Sequence, residues 1–342
     1  MTIEEICLQR LSNQRLLAPC SVEETVRGLC GLQAQFFSNA LHALRIRCGH
    51  EPTAAELAPL LKTWTLRGTL HLVHERDLPL FLHEGRTHFL RPCDTMDSDE
   101  RLSAGRKRFF SALIARKIAE GMCERDALRE ACFATGMTEA EASSAFDAWG
   151  GLIRAMCEAG EIGHAPQQKK AFRLCPPFVP MARGDARREL LRRYLLSYGP
   201  VSLRDASYFF GAPQREISPL LEALPVRRET CGSRDYFSLS APAAVSTPPD
   251  CVFLAGFDPL MMGYEKKENP FLPEQALRGV FNRAGIVMPP LLLEGRVVGR
   301  WKRSGRKIQA TLFETVPQRG KRTICEAAQQ CFGEGIRCEF PE

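Results

Sequence analysis

The chain has 342 residues, 44% of them hydrophobic and 25% charged, with 26 glycines, 23 prolines and a formal net charge of +6. These ordinary globular values exclude a fibrous repeat and a disordered chain, and the length predicts two or three structural units with a substantial core. No apolar run approaches the roughly 18 residues of a membrane helix, and the acidic start Met1-Thr2-Ile3-Glu4-Glu5 lacks the basic and apolar parts of a secretion signal, so a cytoplasmic protein without a membrane partner is expected.

Helical patterning opens the chain at Ile6, Leu8, Leu11 and Leu16. Ser21 followed by Glu24 makes a capping box, predicting a second helix over 22–32 that delivers the chain to Gly31-Leu32-Gln33-Ala34-Gln35. A short helix is expected over 56–61. Residues 63–73, Thr-Trp-Thr-Leu-Arg-Gly-Thr-Leu-His-Leu-Val, are rich in β-branched and aromatic types at near-alternating spacing and predict a strand pair or one long strand. Helices over 109–121, 125–135 and 139–160 then precede a short basic hairpin over 161–174. A helical trio followed by a two-stranded wing is the layout of a winged helix-turn-helix unit.

The same order recurs beyond Cys175-Pro176-Pro177-Phe178-Val179-Pro180, with helices over 183–198, 203–210 and 213–223 and a wing over 226–239 turning at Cys231-Gly232-Ser233. Ser202 and Asp205 start the middle helix and Gly211 stops it. A Pro-rich spacer, 241–249, introduces a last unit with an apolar run, 251–257, and a hairpin, 291–301, whose arms meet at Glu294-Gly295. The expected fold is therefore α+β: tandem winged helix-turn-helix units over 105–175 and 183–240, an N-terminal helical or winged-helix unit over 1–100, and a C-terminal α/β unit over 250–342 that contains the β-hairpin.

The charge is unevenly placed. Residues 294–322 hold nine Lys or Arg against two Glu, so the rest of the chain sums to about −1. That patch has the electrostatic footprint of a phosphate-backbone surface, although an exposed basic face with no ligand is also common. Arg296, Arg300, Lys302, Arg303, Arg306 and Lys307 are its candidate phosphate ligands. Arg187, Arg188, Arg192 and Arg193, and the wing residues Lys169, Lys170 and Arg173, add to a basic surface or simply line solvated faces.

The fourteen cysteines are scattered through apolar segments with no Cys-x-x-Cys spacing and are expected to be reduced thiols. Cys325, Cys331 and Cys338 come nearest to a cluster, but their spacing matches no zinc or iron–sulfur pattern, and neither metal nor cofactor is expected. His42, His74, His83 and His88 show no metal-binding spacing. A phosphate-cradling glycine loop, a nucleophile elbow and a zinc-peptidase motif are all missing, which argues against nucleotide hydrolysis and peptidase chemistry.

Gln33 and Gln35 carry the sharpest chemical signal. In an extended segment their side chains share a face, whereas within a helix they diverge by roughly 200°. Convergent amides orient a water and stabilise positive charge through their carbonyl oxygens. Such a pair suits hydrolysis of an N7- or N3-alkylated purine nucleotide, whose cationic base leaves with little acid assistance. The alternative is that both amides cap a helix end or pair with backbone. Arg67 and His71, an even separation apart, would share one face of a single strand and line the same cleft; alternatively His71 is a satisfied core histidine, Arg67 an ion-pair partner and Trp64 core.

Together these stretches resemble the AlkZ-like DNA glycosylases. Gln33, Ala34 and Gln35 match the Gln-aliphatic-Gln signature of that family, and residues 63–73 look like its tryptophan, arginine-glycine-threonine-leucine-histidine segment. Phe257-Asp258 with Met262-Gly263-Tyr264 resembles its C-terminal aspartate and glycine-tyrosine signature, and 293–301 its late hairpin, so the likeness runs from about residue 5 to about residue 305. The resemblance implies winged-helix units scaffolding a surface for double-stranded DNA with alkylated bases, catalysis by Gln33 and Gln35, and, in some members, unhooking of interstrand crosslinks. Phe36-Phe37 departs from the pattern and bears on substrate range, since Phe36 either narrows the pocket or stacks on a base. The expected function is monofunctional DNA glycosylase, because no lysine flanks the motif, in a monomer needing no cofactor. A winged-helix transcription regulator without catalysis is the alternative.

Overall fold

In the computed structural model the described residues are 1–85, 87–88, 91–92, 102–147, 150–167, 169–241 and 247–341; most of the Pro-rich spacer lies outside them, as do the side chains of Arg67 and His88. The fold is mixed α+β. Two compact units emerge: one combines 1–53 with 190–342, and the other is the intervening stretch 54–189.

The middle unit begins with the helix Ala54–Leu57 and the antiparallel strands Leu60–Trp64 and Leu70–His74, paired so that Thr63 faces His71. The reading of Arg67 and His71 as neighbours on one strand is corrected here. Leu66–Gly68 forms a 3-10 turn closed by Thr65 N–H donating to the Thr69 carbonyl at 3.1 Å, with Gly68 at φ +69°, so Arg67 lies in the turn and strand alternation does not relate it to His71.

Helices Ala104–Ala119 and Arg125–Ala134 follow as expected, but the long helix over 139–160 is two helices, Glu139–Ala145 and Gly151–Ala159. The break falls at Gly150-Gly151. Gly151 has φ +72°, and a Cβ there would lie 2.0 Å from the Ser144 carbonyl oxygen, so only glycine fits this tight turn. The hairpin Ile162–His164 and Phe172–Leu174 pairs with Leu60–Trp64 through Lys62 and His164. Phe110, Ile114, Leu128, Leu152, Met156 and Phe172 fill the core of this unit.

The other unit joins both ends of the chain. It holds helix Ile3–Asn13, the C-terminal half of Arg183–Tyr198, and Leu203–Phe210 packed against Gln214–Glu222; Ser202 and Asp205 form the expected capping box and Gly211, at φ +59°, the expected stop. Tyr194 stacks on Tyr198 and Phe209, and Phe210 and Tyr264 meet this cluster edge-on. The hairpin Arg227–Cys231 and Arg234–Ser238 turns at Gly232. A second sheet runs in the order Cys251–Phe253, Pro290–Leu293, Arg296–Ser304, Lys307–Leu312, Arg337–Glu339, with only the last pairing parallel. Helix Gln318–Phe332 covers one face, packing Ile324 and Ala328 with Trp301, Ile308 and Ala310.

Two buried arginines tie the N-terminal helices to the returning chain. Arg10 donates to Asp205 at 3.0 Å and lies 3.8 Å over the Tyr264 ring. Arg47 grips Asp258 with two bonds of 2.8 and 3.1 Å.

Candidate active site and nucleic-acid interface

Gln33 ends a short strand, and Ala34 and Gln35 lead from it into a bend and not into a helix. Helix Val22–Gly28 stops four residues before the expected end at 32, because Cys30 (φ +58°) and Gly31 (φ +82°) both turn left-handed, and Leu32–Gln33 then forms a short strand. The buried Leu32 and Ala34 alternate with the half-buried Gln33 and the exposed Gln35, the burial pattern of an extended stretch that runs into a bend at Gln35. Neither amide caps a helix. The preceding helix ends on Leu29, and the next, Phe37–Cys48, has Phe36 at its N-cap with no side-chain cap bond. The Gln33 Oε1 is buried and accepts no hydrogen bond among the described residues. A buried, unsatisfied amide oxygen costs about 1–3 kcal/mol.

Phe36 stands beside the pair. It is 45% exposed, and its ring stacks on Phe257 with centroids 5.7 Å apart and planes 21° from parallel. Phe257 has φ +56°, a strained backbone for a bulky residue, costing about 1–3 kcal/mol. The turn that holds it is clamped to the helix Phe37–Cys48 at both ends. Gly256 lies so close to Asn39 that a Cβ would come within 2.7 Å of the Asn39 amide nitrogen, and Asp258 is held by Arg47 while accepting from the Ala255 and Leu260 N–H groups. The Phe257-Asp258 and Gly263-Tyr264 signatures are thus framework: the Tyr264 hydroxyl receives Gln14 and donates to the Tyr198 carbonyl. Sequence reasoning missed Arg47, whose signal was an arginine at the end of the apolar helix stripe Ala40, Ala43, Leu44.

In the other unit, His71 is buried and its Nδ1 donates to the Thr69 carbonyl at 2.9 Å, which requires that nitrogen to carry a proton. His42, His74 and His83 likewise engage nearby backbone. No group of three or more His, Cys, Asp or Glu is placed to hold a metal among the described residues. Cys325 and Cys338 come within hydrogen-bonding reach of each other, and burial pushes the Cys338 thiol up to about 12.

The six basic candidates lie on the strands Arg296–Ser304 and Lys307–Leu312 and the turn between them, but they do not share one face. Pairing of Arg300 with Thr311, Lys302 with Gln309 and Ser304 with Lys307 sets Arg300, Lys302 and Lys307 on the face away from the helix. Arg303 lies on the helix side, 5.2 Å over the Phe332 ring. Arg306 occupies the turn. Arg296 is paired to Glu314 and Lys307 to Glu339, whereas Lys302 and Arg306 meet no carboxylate among the described residues. Elsewhere in this unit Arg192 and Arg193 line an open cleft of about 680 Å³ with Arg15 and Arg27 and with Glu23 and Glu24.

Known proteins place this architecture. The family model for DNA glycosylase AlkZ-like matches residues 26–331. The chain belongs to the AlkZ-like DNA glycosylase family. A curated relative, the interstrand DNA cross-link repair glycosylase of Streptomyces sahachiroi, is 25% identical over 329 residues, covering 86% of this chain and 85% of its own. The solved structure of the Streptomyces sahachiroi DNA glycosylase AlkZ superposes with a TM-score of 0.76 at 21% identity, covering 100% of both chains. The likeness extends to the mixed α+β fold of the whole chain.

Proposed function

We propose that this protein is a DNA glycosylase that excises N7- and N3-alkylated purines from duplex DNA by monofunctional hydrolysis, with bulky adducts and interstrand crosslinks within its range. The observation that carries the reading is the Gln33-Ala34-Gln35 segment, outside any helix, with the Gln33 Oε1 buried and accepting no hydrogen bond among the described residues. The C1′–N9 bond breaks with its electron pair leaving on the purine, which neutralises the ring cation and places positive charge on the sugar. The Gln33 carbonyl oxygen stabilises that charge, the Gln35 amide orients the water, and the water adds to C1′ and releases a proton. Family membership and the relative's repair of interstrand cross-links support the substrate class.

In this reading the segments 105–175 and 183–240 are winged-helix units, the protein acts as a monomer, and Lys302, Arg306 and their neighbours on the C-terminal hairpin hold the DNA backbone. The test is release of 7-methylguanine from methylated duplex by the wild type beside Gln33→Ala and Gln35→Ala. Each substitution is expected to lower the rate about a hundredfold or more, as loss of a preorganised oxyanion-type dipole does. Borohydride should trap no protein–DNA adduct, in keeping with attack by water and not by an amine. Absence of release from this and from a bulkier N7 adduct would leave a DNA-binding module without catalysis.

A further inference from the structure

Three departures from local preference converge beside the Gln pair. A large aromatic ring, Phe36, stands 45% exposed. It occupies the N-cap of the helix Phe37–Cys48, where Ser, Thr, Asp or Asn would satisfy an open amide, and no side chain caps that end. Its stacking partner Phe257 is held at φ +56° by a turn pinned through Gly256 against Asn39 and through Asp258 by Arg47. Local rules broken together around one spot mark a functional arrangement more often than a packing defect. The outcome of this arrangement is a two-ring stack with its outer ring open to solvent, one residue from Gln35.

We infer that the Phe36–Phe257 stack is a platform for the alkylated purine itself, and that this platform sets a preference for cationic over neutral bases; the inference rests on the glycosylase reading above. A ring pair presents a negative π face. A purine carrying a delocalised positive charge gains both stacking and cation–π attraction there, whereas a neutral purine gains stacking alone. The Gln amides then act on the sugar side of a base already selected. Phe257 is the supporting ring: buried itself, it backs Phe36 so that the exposed face keeps its orientation. A rigid aromatic seat of this kind also accepts bulky adducts, because it contacts a flat ring and leaves the substituent edge unspecified.

Two measurements on the full-length protein test this. Phe36→Leu keeps apolar bulk but removes the π face, and Phe36→Trp enlarges it; both should keep the wild-type melting temperature within a few degrees. We expect Phe36→Leu to lower kcat/KM for 7-methylguanine release about tenfold, with Phe36→Trp near wild type, the scale set by base–aromatic stacking. The second readout does not depend on turnover: the indole emission that Phe36→Trp adds to that of the wild type, followed on adding duplex with a single 2′-fluoro-7-methylguanine, whose glycosidic bond resists hydrolysis. Stronger quenching by that duplex than by its guanine counterpart is expected. Equal quenching by both duplexes, or a Phe36→Leu rate equal to wild type, overturns the platform. No base release by the wild type would overturn the glycosylase reading, and the difference in quenching would still decide whether a cationic purine stacks at this position.

Discussion

His164 lies in the strand Ile162–His164 between the rings of Trp64 and Phe172, 5.4 and 4.7 Å away. Burial, with the nearby charges of Lys62, Lys170 and Arg125, lowers its pKa to about 3, and its Nε2 has no partner among the described residues. Lys62, its cross-strand neighbour, is itself lowered to about 8 by burial and donates to the Gln167 carbonyl. The histidine's folded pKa is depressed relative to an unfolded value of about 6.5, so between about pH 6.5 and 3 the unfolded chain binds a proton that the folded chain refuses. Stability must therefore fall as the pH drops below about 6.5, by up to about 1.4 kcal/mol per pH unit from this group, and stay unaffected by it above that point. His164→Phe should flatten the melting temperature between about pH 6.5 and 4.5 relative to wild type. An imidazolium signal from His164 appearing by NMR near pH 6 would contradict this account.

The hairpin formed by Arg296–Ser304 and Lys307–Leu312 shows what a strand does to a run of like charges. Alternation and the paired carboxylates Glu314 and Glu339 divide six residues that look equivalent in sequence. Lys302→Ala and Arg306→Ala should each reduce the slope of log affinity against log salt for duplex DNA by about 0.9, the counterion release of one phosphate contact. Arg296→Ala should leave that slope nearly unchanged, since Glu314 already neutralises it; anisotropy titrations between roughly 50 and 200 mM salt make the comparison. Elements that carry their own punctuation were legible beforehand: Ser202 and Asp205 with Gly211 set the helix Leu203–Phe210 to the residue, and Ser21 with Glu24 set the start of its helix. The break before Gly151 was not legible, because helical periodicity continues across it, whereas Phe146, Gly150 and Gly151 all leave helical backbone angles. The candidate site divides in the same way. The Gln motif is contiguous and could be read directly, whereas Phe257 reaches Phe36 from over two hundred residues away and no local pattern joins them.

At the scale of the whole molecule, one compact unit is assembled from the first 53 residues and the last 153, with the middle of the chain forming the other. A linear reading in successive blocks cannot see this, since the partners that close the unit are side chains far apart in sequence. Arg10 and Arg47, both on the N-terminal piece, face Asp205 and Asp258 on the C-terminal piece, and all four are almost wholly buried. Removing one partner of such a pair costs about 3–5 kcal/mol, because the remaining charge is left buried without compensation. Two losses, roughly 6–10 kcal/mol, are comparable with the roughly 5–15 kcal/mol that stabilises a domain. A chain starting at residue 54 should therefore lose hydrogen-exchange protection across the sheet from Cys251–Phe253 to Lys307–Leu312, and adding the 1–53 fragment in trans should restore part of it. The double variant Arg10→Met, Arg47→Met should fall in the same direction with the chain intact. Retained protection in both would mean that the buried pairs add specificity of pairing between the two pieces and little net stability.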